Sequence, residues 1–131
     1  MSTTSSPKHQ PKHLGKQSKA PISELDLIPW ASGPITVYLD CTEFTSHCPV
    51  TDQPDFGRIT IEYEPAGHII ETKSLKLYLQ RFRDARAFNE VLVATIADDV
   101  FKQLKPKRLS VTGHFNVRGG IAPTAIATRG D

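Results

Sequence analysis

The sequence predicts an α+β domain: a four-stranded antiparallel sheet with two helices on one face, in the order ββααββ. Two segments, residues 58–64 and 108–115, alternate apolar and polar side chains as half-buried strands do. Between them, residues 88–105 repeat apolar side chains at helical spacing.

Ile35, Val37, Tyr38 and Leu39 make residues 35–41 the first strand, rich in β-formers and partly alternating. A loop over residues 44–56, braced by Pro49 and Pro54, leads to the second strand, which Pro65, Ala66 and Gly67 close. Residues 74–82 place Leu75, Leu77, Tyr78, Leu79 and Phe82 at helical spacing. In the longer helix Val91, Leu92, Ile96, Val100 and Leu104 form the apolar face, Asp98, Asp99 and Lys102 stay polar, and Pro106 ends it. After the strand at 108–115 comes the turn Arg118-Gly119-Gly120 and a last strand near residues 122–128. Such a sheet leaves one face and two edges bare, so edge-to-edge self-assembly is expected.

Composition narrows the function classes. With 131 residues, ten prolines, eight glycines and 38% apolar residues, the chain can bury one modest core, expected over residues 21–131. No apolar run reaches the length of a membrane span and the N-terminus lacks a secretory apolar block, so a soluble cytoplasmic protein is expected. Residues 1–20 hold Lys8, Lys12, Lys16 and Lys19 with no acidic residue and no aromatic. That composition predicts a disordered basic arm, while the rest of the chain is slightly acidic. Cys41 and Cys48 lie too close along an extended segment to staple the fold, and their spacing is not that of a zinc site.

Chemistry concentrates in two places. Cys48 and Asp55 share the proline-braced loop, where a thiol and a carboxyl group can act as nucleophile and proton donor. The thiol needs a lowered pKa, for which nearby cationic groups such as His47 are one candidate source. Asp55 follows Pro54, which on its own also describes a plain turn residue, and Cys41 reads as a packing residue in a strand. Downstream, Glu71, Thr72, Lys73 and Lys76 form a dense segment leading into the first helix, where the two lysines, three positions apart, would share a helical face. No Gly-x-Gly-x-x-Gly run follows a strand, so a Rossmann site is not expected. Phosphates would instead need Lys73, Lys76 and the Arg118-Gly119-Gly120 turn.

The cysteine loop at 44–56 followed by the lysine segment at 71–78 resembles the NADPH-dependent 7-cyano-7-deazaguanine reductases of queuosine biosynthesis, in their short single-module form. The likeness spans about residues 14–121. It implies the tunnelling fold, with subunits closed into barrel-like rings, typically two stacked pentamers, and active sites between subunits. It implies Cys48 as the nucleophile that forms a thioimide with the nitrile carbon and Asp55 as the proton donor. Ile70, Glu71, Thr72, Asn89 and Glu90 would bind the deazaguanine, Glu90 by bidentate hydrogen bonds. Thr72, Lys73, Arg118 and Gly119 would hold NADPH; no metal is implied, and nucleic acid is not required.

The chain departs from the family in Asn89, where a histidine usually precedes the base-binding glutamate. Asparagine can hydrogen-bond to the substrate but cannot carry a proton near neutral pH. Thr72, in place of a usual serine or leucine, is a milder change, and the family's longer members continue past the arginine turn. Three other functions therefore stay open. They are an amidinotransferase acting on the deazaguanine in tRNA without NADPH, a zinc-dependent pterin-type enzyme using His47, Cys48, His68 and His114, and a non-catalytic binding protein.

Overall fold

A computed structural model describes residues 23–131, so the basic arm expected at residues 1–20 lies outside the described residues. In chain order the elements are β1 (Leu27–Pro29), β2 (Val37–His47), β3 (Pro54–Glu64), β4 (His68–Ile70), α1 (Thr72–Gln80), α2 (Asn89–Leu104), β5 (Arg108–Phe115) and β6 (Thr124–Gly130). The long strands form one antiparallel sheet in the order β2-β3-β5-β6, and β1 pairs with β4 in a separate two-stranded ribbon. The ββααββ order of the long elements and the four-stranded sheet match the sequence expectation. The ribbon does not appear in it, because strands of three residues are too short to display a period.

Alternation puts every second side chain on the helix side of the sheet. Leu39, Ile61, Val111 and Ala127 lie in one such row, and Val37, Tyr63 and Leu109 in the next. Both helices cover this face: α2 lies over β5 and β6, and α1 beside β2. Ile96, Ala97 and Val100 of α2 join Tyr78 of α1, Ile59 and Ile61 in a single core. Gly113 allows the close approach, since a Cβ there would meet Val93 Cγ2 at 2.5 Å. On the opposite face Tyr38 and Ile126 stand exposed.

Polar bonds tie the layers at a few points. The Tyr78 hydroxyl donates to Asp99 Oδ2 at 2.6 Å and so joins α1 to α2, and the Ile70 N–H donates to the Tyr63 hydroxyl at 2.9 Å. Helix α2 ends at Lys105 in the left-handed conformation, with φ of 53°, ahead of Pro106.

Several boundaries differ from expectation, and two matter for function. Strand β2 runs on to His47, beyond residue 41, through a bulge between Cys41 and Phe44. The bulge reverses which residues face inward, so Phe44 and Ser46 are buried on the helix side. Strand β3 begins at Pro54, so Asp55 belongs to a strand, opposite Ser46, rather than to the loop. In α2 the buried face includes Val93 and Ala97, whereas Val91 is exposed. An exposed apolar residue in the first turn is compatible with the helical period, which fixes faces but not their edges.

Candidate active site

The β2–β3 ladder stops at the pair His47–Pro54, and the chain reverses over residues 48–53. Two backbone bonds close this turn: Cys48 N–H to Gln53 O and Asp52 N–H to Cys48 O, each 2.9 Å. Asp52 takes a left-handed φ of 58°, which a short polar side chain tolerates. The turn is pinned to the segment between the helices. Arg86 Nε donates to Asp52 Oδ1 at 2.8 Å, and the His47 N–H donates to Ala85 O at 2.9 Å.

Cys48 is half-buried and free. Its thiol is held below the ordinary thiol range by the Thr51 N–H, then the Thr51 hydroxyl, then the Val50 N–H, all of which favour a sulfur anion. Partial desolvation and the negative charge of Asp55 act the other way, which also places that carboxylate within electrostatic reach of the sulfur. The expected cationic source is therefore corrected. Amides released from the ladder by the turn, together with one hydroxyl, lower the thiol, and His47 does not contribute. Cys41 behaves as a packing residue: burial, then the charge of Asp40, pushes its thiol up to about 11.

Asp55 is buried, and its Oδ1 lies 3.2 Å from Arg118 Nε. Among the described residues three buried polar atoms have no hydrogen-bond partner: Ser46 Oγ, His47 Nδ1 and Asn89 Oδ1. Ser46 and His47 immediately precede Cys48, and Asn89 opens α2 three residues after Arg86, which bridges to His47. Buried polar atoms left open in this way are free to meet a ligand.

The other expected residues divide into separate groups. Glu71 caps α1, accepting the N–H groups of Lys73 at 2.8 Å and Ser74 at 2.9 Å, so its carboxylate already has a structural task. Ile70 is buried in β4, while Thr72 is exposed at the start of α1. Thr72, Lys76 and Arg83 share a cavity of about 710 Å³ with Cys41, Thr45 and His47. Cys48, Asp55, Glu90 and Arg118 do not line that cavity. Glu90 is exposed in the first turn of α2. Arg118 and Gly119 sit in the β5–β6 turn, where the Arg118 and Ile121 backbones bond each other at 2.8 and 3.0 Å. The chain thus brings together Cys48, Asp55 and Arg118, while Thr72 lines a cavity that they do not line and Glu90 stands exposed in the first turn of α2.

Thr51, Asp52 and Arg86 were absent from the expected site. Thr51 and Asp52 stand between Pro49 and Pro54 and carried a turn signal; Arg86 carried none, because it reaches the loop only through tertiary packing. Among the described residues, no three His, Cys, Asp or Glu side chains form a group able to hold a metal. The four residues of the zinc reading therefore do not converge. For a dinucleotide the fit is better: Arg118 stands beside Gly119 and Gly120, both with positive φ and with no atom within 4 Å of a Cβ built there.

A one-layer sheet backed by two helices, ending in a turn that lowers a thiol within electrostatic reach of a buried carboxylate, defines the chain as an α+β protein of a particular class. A family model described as QueF-like protein matches residues 54–131. An NADPH-dependent 7-cyano-7-deazaguanine reductase from Frankia casuarinae is 51% identical over 92 residues, covering 70% of this chain and 74% of that protein. A protein of the same name from Anaeromyxobacter sp. is 45% identical over 98 residues, covering 75% of this chain and 80% of that one. The crystal structure of the archaeosine synthase QueF-Like in the apo form shares the fold, with a TM-score of 0.67 at 19% identity over 78% of this chain and 98% of that one. The chain belongs to the QueF-like family.

Proposed function

We propose that this chain reduces the nitrile of 7-cyano-7-deazaguanine to an aminomethyl group, consuming two NADPH, in queuosine biosynthesis. The observation that carries the reading is the turn at residues 48–53, which aims two amides and a hydroxyl at the sulfur of Cys48 while Asp55 stands within electrostatic reach. Relatives that are 45% and 51% identical and carry the reductase name support it.

A nitrile carbon is a poor hydride acceptor. Asp55 takes up the proton that the Cys48 thiol releases, the resulting thiolate attacks that carbon, the nitrogen takes this proton from Asp55, and a thioimide bonded to the sulfur results. NADPH supplies one hydride in each of the two reductions. Asn89 and Glu90 bind the deazaguanine edge together with Ile70, Glu71 and Thr72, and the open Oδ1 of Asn89 is available for a ring N–H. Thr72, Lys73, Arg118 and Gly119 hold the dinucleotide.

In the four-stranded sheet β2 and β6 each pair on one side only, and the proposed site residues fall into separate groups. Both features support a homo-oligomer whose sites are completed between subunits, as rings or stacked rings. No helix among the described residues is long and apolar enough to cross a membrane, and a cytoplasmic location is part of the proposal.

Incubation with 7-cyano-7-deazaguanine tests the reading by NADPH absorbance and intact mass. Oxidation of two NADPH per substrate and a thioimide adduct on Cys48 are expected. An adduct without NADPH oxidation points to the amidinotransferase, and neither signal points to a binding protein.

A further inference from the structure

Arg118 is the cation assigned above to the dinucleotide, yet here it is engaged elsewhere. Its Nε lies 3.2 Å from Asp55 Oδ1, and its Nη2 donates to Gln53 Oε1 at 3.4 Å. The Asp55 side chain is only 10% exposed, whereas that of Arg118 is 42% exposed, so the guanidinium is the partner with room to swing toward solvent. Next to it, Gly119 and Gly120 have φ of 57° and 81°, and their N–H groups have no partner among the described residues. Successive free amides beside a guanidinium form a concavity for an anion, and a phosphate seated there requires the charge that Asp55 now holds.

We propose that Arg118 exchanges Asp55 for a phosphate group of the dinucleotide, so that cofactor binding releases the carboxyl group toward the substrate nitrogen. In the empty enzyme the arginine holds the carboxylate back. Cofactor and Asp55 thus compete for one cation, and the competition acts on both equally. The inference rests on the NADPH assignment and adds that Arg118 is a positioning residue for the acid.

Competition makes an unusual demand: removing the acid's charge must improve cofactor binding. The test is calorimetric titration of the full chain with NADP+ at fixed ionic strength, for wild type, Asp55→Asn, Arg118→Gln and the double variant. Asp55→Asn is expected to bind about fivefold tighter, at the low end of coupling between two sites. Arg118→Gln is expected to bind more weakly, and Asp55→Asn is expected to add nothing in that background. Asp55→Ser replaces Asp55→Asn if the amide variant does not fold. Unchanged or weaker binding by Asp55→Asn overturns the exchange, as does an equal gain in the absence of Arg118, which would be a general charge effect. If wild type binds no NADP+ at all, the cofactor assignment itself falls, and the exchange with it.

Discussion

Strand β2 and the turn that follows it carry two cysteines seven positions apart whose thiols are shifted in opposite directions. Cys41 sits in mid-strand, paired with Ile59 and packed against the core, and burial pushes it up to about 11. Cys48 lies just past the end of the ladder and is lowered by the Thr51 and Val50 amides and the Thr51 hydroxyl. The two side chains are identical, so the difference comes from the backbone around them. In mid-strand the amides are committed to the ladder; in the turn they are free to face sulfur. A region that satisfies its own polar groups makes stability, and one that leaves them open makes chemistry.

The strongest way to break this contrast is to exchange the thiols' expected roles. Cys48→Ala should abolish the thioimide adduct in intact mass and lower turnover by about a thousandfold or more, whereas Cys41→Ala should form the adduct. Loss of the adduct in Cys41→Ala alone would reverse the assignment. Next in size is the core. Ile61→Ala removes a fully buried side chain and should cost about 2–5 kcal/mol in denaturant unfolding while Cys48 keeps its reactivity.

Asn89→His restores a proton-carrying group at the start of α2 and should raise turnover severalfold; unchanged or lower turnover would show the asparagine to be no handicap. Thr51→Val removes the hydroxyl but not the amide, so the pH midpoint of iodoacetamide labelling at Cys48 should rise without loss of the fold. A midpoint that stays in place would mean that the hydroxyl does not serve the sulfur.

The smallest effect belongs to Cys41. Its folded-state value lies above the ordinary 9.0, so the protonated thiol is favoured by folding. The contribution is fully present below pH 9 and is lost as pH rises through about 11. Tyr63 and Tyr78 are also raised, chiefly by burial, so Cys41→Val should flatten only part of the alkaline decline seen in thermal unfolding.

Period and punctuation account for what could be read early. The 108–115 strand matches β5, and the helix expected at residues 88–105 matches α2 with its flanking caps, because long regular patterns and Pro106 are local signals. The β2 bulge and the ribbon of β1 with β4 left no local mark. Cys48, Asp55 and Arg118 were named from their motifs, but Asp55 moved from loop to strand, and its pairing with Arg118 spans the sheet from β3 to the β5–β6 turn.

The chain's own order of residues thus determined the layers, the helical faces and the pair of side chains proposed to attack and protonate. Only the folded molecule decided which groups activate the thiol, which cation holds the carboxylate and where Arg86 braces the turn. Hydrophobic period and turn chemistry are properties of neighbours along the chain, whereas hydrogen bonds and ion pairs depend on distances that exist only after distant segments meet.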